Sequence, residues 1–221
     1  MKRSRGAWWV ALLALVLGVA AGSPARAAVA IETTAGESLE GQLAEEFILL
    51  DSPIAGQLTL SASQVTRVSL SPGRVELAGG DVLSGTIRNE QIHIATEFAS
   101  VAIRADKIKS LLVKEVAQPA RSADEVEVRL TNGDRVHGAL TFDKVSKPSV
   151  GVKTGYAGTI SVALAEIADI QSSGEQYVVK TRDGSRLTGA ITNAFFVLRA
   201  AYGELVLPRS AISGFTFPSG K

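Results

Sequence analysis

The stretch Val128–Leu140, VRLTNGDRVHGAL, alternates apolar and polar residues on both sides of Asn132-Gly133. A period of two marks strands with one buried face, and an Asn-Gly between two such runs marks a tight hairpin. Its core, Gly-x-x-h-x-Gly with h aliphatic, occurs four times: GESLEG (Gly36–Gly41), GDVLSG (Gly80–Gly85), GDRVHG (Gly133–Gly138) and GSRLTG (Gly184–Gly189). Aliphatic residues stand two positions either side of each second glycine, at Leu39/Leu43, Leu83/Ile87, Val136/Leu140 and Leu187/Ile191. An h-x-h pair follows at Ile48/Leu50, Ile92/Ile94 and Phe196/Leu198, and in the third copy, displaced by five residues, at Val150/Val152. Leu60, Ile103, Val162 and Leu207 then each open a segment with apolar residues at +5 and +8: Val65/Val68, Ile108/Leu111, Ile167/Ile170 and Ile212/Phe215.

So many shared offsets make this a tandem-repeat chain. Each unit reads strand, hairpin, bent strand, strand, strand, single turn, strand. The second glycine interrupts the inward row of the bent strand, where it permits a sharp bend or a close backbone approach. Helical periodicity is confined to single turns at Ser61–Gln64, Arg104–Lys107, Ala163–Glu166 and Pro208–Ala211. Five strands in about 40 residues lie near the lower limit for independent folding, so units are expected to share a core or pair edges. The polar, proline-containing segment 114–124, KEVAQPARSAD, predicts a linker. It divides the chain into residues 31–113, holding units one and two, and residues 125–217, holding units three and four.

Composition narrows the function classes. The 221 residues include no cysteine, which excludes a disulfide scaffold, thiol catalysis and a Cys-based metal site. Met1–Arg5 is basic, Ala7–Ala21 is apolar apart from Gly18, and Ala25-Arg26-Ala27 places small residues at −3 and −1 of a cleavage point. This is the tripartite pattern of a signal peptide, residues 1–27, cleaved after Ala27. The apolar run falls short of the roughly 20 residues that span a bilayer. A periplasmic or secreted protein is expected, with no transmembrane segment in the mature chain. Lys2, Arg3, Arg5 and Arg26 leave with the signal, so 19 of the 23 Lys+Arg remain against 22 Asp+Glu. Net charge therefore gives a nucleic-acid surface no support.

The order of strand, Asn-Gly-Asp hairpin, bent glycine strand and late Ile-Arg-x-x-x-Ile segment resembles the small SH3-like barrel, above all its Sm-like version. Val128–Leu140 and Val101–Leu111 (VAIRADKIKSL) carry this likeness. The RNA-contacting Asp and Asn of the Sm family are missing here; Asn89 lies nearby without the flanking pattern, and Ala105 replaces a glycine. The resemblance thus implies the barrel topology and no nucleic-acid partner. Tyr156-Ala157-Gly158 with Ile160–Ile170, and Leu207–Ile212 (LPRSAI), are similar to exported bacterial proteins with tandem NGD-x-L-x-G repeats. Those units resemble the amino-terminal region of outer-membrane barrel proteins of unknown function. The fold implied is all-β: four tandem five-stranded SH3-like/Sm-like small-barrel units after a cleaved signal peptide. No established activity comes with it.

A search for chemistry finds no constellation. His93 and His137 each sit between inward positions, so both are expected to point into solvent rather than hold a metal. No serine occupies Gly-x-Ser-x-Gly, no carboxylate pair is singled out, and Asp81 and Asp134 read as turn residues. The glycines join strand to strand and never open a helix, which removes a phosphate loop. No catalytic residue, cofactor or metal is expected.

Binding is expected where units depart from the repeat. The insertion within Thr141–Ser149 brings Lys144 and Lys147, with Lys153 just beyond, and suits an acidic partner, a wall polymer or phospholipid headgroups. In Ala194–Leu198 (AFFVL) alternation turns Phe195 outward, beside Tyr202, as a unit-to-unit seam or a contact patch. Phe47, Phe98, Phe142 and Tyr156 do not share one repeated position, which counts against repeated glycan grooves. The expected function is an exported, non-catalytic module that binds an envelope protein or further copies of itself. A cell-wall glycan-binding module is the alternative, and a hydrolase stands third.

Overall fold

The computed structural model describes residues 27–116, 118, 122, 124–141 and 148–218. Unit one contributes β1 (Ala28–Thr33), β2 (Ser38–Leu43), β3 (Phe47–Ser52), β4 (Gly56–Ser61) and β5 (Val65–Leu70). Unit two contributes β6 (Gly73–Leu77), β7 (Val82–Ser84), β8 (Thr86–Ile87), β9 (Gln91–Ala95), β10 (Ser100–Arg104) and β11 (Ile108–Val113). Here the bent strand is split in two at Gly85. Unit three holds β12 (Val126–Leu130), β13 (Arg135–Thr141), β14 (Ser149–Thr154), β15 (Gly158–Ala163) and β16 (Ile167–Ser173). Unit four holds β17 (Gln176–Thr181), β18 (Arg186–Ile191), β19 (Phe195–Ala200), β20 (Gly203–Pro208) and β21 (Ile212–Thr216). The described chain is all-β with antiparallel ladders, and its helical content is four three-residue 3₁₀ turns: Ala62–Gln64, Ala105–Lys107, Leu164–Glu166 and Arg209–Ala211. Each falls where the sequence predicts a single turn.

The first glycines close the hairpins. At Gly133 the backbone turns left-handed at φ +87°, while Asn132 stays at negative φ. The Gly133 N–H donates to the Leu130 carbonyl at 3.1 Å, and the Leu130 N–H donates to the Asp134 carbonyl at 2.9 Å. This is a three-residue loop, a right-handed turn completed by one left-handed residue, a place glycine takes without strain.

The ladders cross between units. β2 pairs with β1 over Ser38–Gln42 along one edge and, along the other, with β9 of the next unit, Gln42 opposite Ala95 and Leu43 opposite Ile94. In return β8 pairs with β3, Leu50 opposite Ile87. β1 pairs with β11 and β6 with β5. Two mixed sets result, β11-β1-β2-β9-β10 and β5-β6-β7/β8-β3-β4, stitched by β5 against β11 at Val68 and Leu111. The second half repeats the exchange as β21-β12-β13-β19-β20 and β16-β17-β18-β14-β15, stitched by β16 against β21. Each unit therefore gives two strands to one set and three to the other, which corrects the expectation of five strands paired within one unit. Alternation cannot tell a unit's own third strand from its neighbour's, since Ile48/Leu50 and Ile92/Ile94 offer the same inward row.

The second glycines stand at the crossing points. A Cβ placed on Gly85 would meet the Asp51 carbonyl oxygen at 2.5 Å, one on Gly138 the Arg199 oxygen at 2.5 Å, and one on Gly41 the Ala95 oxygen at 2.7 Å. Gly189 faces the Lys153 oxygen in the same way. Every one of these oxygens belongs to the neighbouring unit's third strand.

The inward rows form the core, with Ile31, Ile48, Leu83, Ile94, Leu111, Ile170 and Phe215 fully buried. Phe196 packs on Phe215 with ring centroids 4.8 Å apart, and Phe217 continues the cluster at 6.2 Å. The buried Tyr177 hydroxyl lies 3.0 Å from the Arg209 carbonyl and 3.2 Å from that of Ile212, tying the last 3₁₀ turn to β17. Tyr177→Phe removes that donor and keeps the ring, so urea denaturation should show a loss of about 1 kcal/mol.

Candidate functional site

The two halves meet through two hairpins. β7 and β13 touch at one backbone bridge, Val82 opposite Arg135. Around it the side chains answer each other. One Asp81 carboxylate oxygen accepts the His137 backbone N–H at 2.9 Å and lies 2.6 Å from His137 Nδ1. Asp134 accepts the Ser84 N–H at 2.9 Å and the Ser84 hydroxyl at 2.6 Å. In both directions the residue after a first glycine reaches the residue before the facing second glycine. His137 Nε2 lies 3.3 Å from Glu127, and the Asn132 amide donates to Asp134 at 2.8 Å. Asp81 and Asp134 are buried, 5% and 1% exposed. The Tyr202 hydroxyl is buried with them and, among the described residues, has no hydrogen-bond partner. Burial, then the charge of Asp81, holds its phenol well above the usual tyrosine range.

His137 corrects a sequence expectation. Alternation does turn it away from its own core, but the facing hairpin covers that side, leaving the side chain 10% exposed. Asp81 and Asp134 likewise serve the seam as well as their turns. His93 is half-exposed and pairs with Glu45 at 2.7 Å. In the seam both imidazole nitrogens face carboxylates and the Ser84 hydroxyl turns to Asp134, so no nucleophile stands against a free base. Among the described residues no group of three or more His, Asp or Glu is placed to hold a metal.

A second repeated feature lies in the loop after each third strand. The Thr96 hydroxyl oxygen accepts the Phe98 and Ala99 N–H groups at 3.3 and 3.1 Å, and Thr154 accepts that of Ala157 at 3.1 Å. Ser52 does the same for Ile54 and Ala55. This turn lifts one apolar residue, Ile54, Phe98 or Tyr156, and Tyr202 holds the same place in the last unit. Phe98, Tyr156 and Tyr202 thus share one position, which the pattern Ser/Thr-x-h-Ala (h apolar or aromatic) in the first three units could have revealed, while Phe47 stands outside it at the start of β3. Ile54 and Tyr202 pack against the core, whereas Phe98 is 94% and Tyr156 75% exposed. Phe98 overhangs a groove of about 720 Å³ floored by Leu39–Gln42 of β2 and walled by Glu97 and Val101.

The other candidate residues scatter. Lys153 is exposed on β14. Lys144, Lys147 and Phe142 lie outside the described residues, as do residues 1–26 of the expected signal peptide. Phe195, 60% exposed, begins β19 opposite Pro208, while Tyr202 sits in the loop past its far end. The length of β19, six residues at about 3.3 Å each, lies between them, so the expected neighbours are not neighbours. Phe195 instead shares an open face with Val197, Val206 and Pro208, and Phe47 and Leu49 hold the matching positions on β3. Among the described residues no helix is long and apolar enough to cross a membrane. No family model, curated protein or solved structure matches the chain.

Proposed function

We propose that this chain is a non-catalytic binding module of four small SH3-like/Sm-like β units, exported to the bacterial envelope, where it holds a protein partner or further copies of itself. The carrying observation is the apolar face that recurs on the third strands of units one and four, β3 and β19. Phe47 and Leu49 on β3 are 49% and 42% exposed, and Phe195 on β19 and Val206 beside it are 60% and 56% exposed. Phe47 and Phe195 hold one repeat position, and an aromatic-aliphatic patch that recurs on a soluble surface has the chemistry of a contact site. The occupied nitrogens of His137 support a structural role for the polar seam. The amino-terminal pattern at residues 1–27 supports export.

Affinity capture of the tagged protein from crosslinked envelopes tests this reading. A stoichiometric partner is expected with the wild type, and Phe195→Ser/Val206→Ser should lose most of it while melting as before, because both side chains already face water. Lys153→Ala, run beside it, reports whether the lysine-bearing face contributes. Equal recovery by wild type and both variants would remove the patch from the binding surface and this reading with it.

A further inference from the structure

The geometry points to head-to-tail association of this chain with a second copy, its first hairpin against the last hairpin of the next, in the arrangement that already joins the two halves. This rests on the reading above and names the partner for the ends of the array. The seam consumes hairpins two and three, β6–β7 and β12–β13. Hairpins one and four, β1–β2 and β17–β18, carry the same core motif and are left over at opposite ends. The outer edge of β2 at Ser38–Gly41 and that of β18 at Arg186–Gly189 have no ladder partner among the described residues. The loop residues follow the same division. Ile54 and Tyr202 pack in at the inner sets, while Phe98, in the set with hairpin one, and Tyr156, in the set with hairpin four, stand in water.

The end residues complement each other when laid on the seam. Ser38 and Arg186 take the places of the bridged pair Val82 and Arg135. Glu37 takes the place of Asp81 and faces Thr188, whose N–H and hydroxyl replace the donors of His137. Ser185 and Arg186 face Glu40, of which one oxygen is held by Lys114 at 2.6 Å. Glu97 beside Phe98 adds a further acid to the first end, and Lys153 a further cation to the last. Joining two first ends would set Glu37 against Glu40, and joining two last ends would set Arg186 against Arg186. Like charges placed directly opposite are unfavourable, so charge selects the mixed join. A mixed join is heterologous, so copies add head to tail, into a ring where the rotation between them closes and an open row where it does not.

Sedimentation velocity on the protein as its producing cell processes it, across a concentration series, tests this. The wild type should climb through multiples of the single-chain mass. Phe98→Asp and Tyr156→Asp, both at exposed positions, should melt like the wild type and associate at least about tenfold more weakly. An equimolar mixture of the two retains one intact join and should give a one-to-one dimer and nothing longer. A wild type that stays monomeric, single variants that associate like the wild type, or a mixture without dimer would each overturn the proposal. A monomeric wild type that still captures an envelope protein through Phe195 and Val206 would overturn this inference alone and leave the binding module standing.

Discussion

Gly138→Val should destroy the cooperative unfolding of the second half and drive the chain into aggregates. A single Cβ at this position lies 2.5 Å from the Arg199 carbonyl oxygen and 3.0 Å from Leu198, and valine adds two methyl groups to that overlap. The oxygen is backbone and cannot swing aside, so β13 must leave β19 and abandon the pairings of Ala139, Leu140 and Thr141. Overpacking alone costs about 1–3 kcal/mol, and the lost ladder adds to it, against a total margin of about 5–15 kcal/mol for a domain. Gly184→Ala is the control. That glycine needs φ +90° but has nothing within 4 Å of a new Cβ, so it should lose only the left-handed penalty of about 1–2 kcal/mol. Urea denaturation of both variants decides it: equal midpoints would mean that the bent-strand glycines are not points of close approach.

The second large effect is expected at the seam. Asp81→Ala leaves the His137 backbone N–H and Nδ1 facing an empty position, with the imidazole 10% exposed and Glu127 as its remaining carboxylate. A buried donor left without its acceptor costs about 1–3 kcal/mol, and two are stranded here. Asp134→Ala strips Ser84 of both its acceptors by the same logic. Each half keeps its own core, so the double variant should melt in two steps, and scanning calorimetry would resolve them. One unchanged transition would show that the halves are held together elsewhere.

Local features are legible in the sequence. Alternation around Gly133 and Gly184 places the hairpins, the apolar offsets place β5, β11, β16 and β21, and the short apolar-to-turn segments place all four 3₁₀ turns. Partner choice between strands was not legible. Leu43 and Ile87 look alike to every third strand, and which one they meet is set by geometry across long stretches of chain, from Leu43 to Ile94 and from Leu50 to Ile87. The same blindness hid the seam: Asp81 and His137 are 56 residues apart, and each reads as an ordinary turn or surface residue until the hairpins face each other. The pattern sets Tyr202 beside Phe195, whereas its neighbours in the fold are Asp81 and Asp134.

The exchange of strands also fixes how such a chain can grow. One unit alone owns a hairpin whose remaining partners lie in its neighbour, β1 and β2 needing β9 and β11. During synthesis the first sheet therefore stays incomplete until Val113 has emerged, and a truncation before that point leaves apolar rows without cover. Deleting or duplicating a single unit strands an odd hairpin, whereas a duplication of two carries all its partners along. Descendants of this sequence should differ in length by even numbers of units.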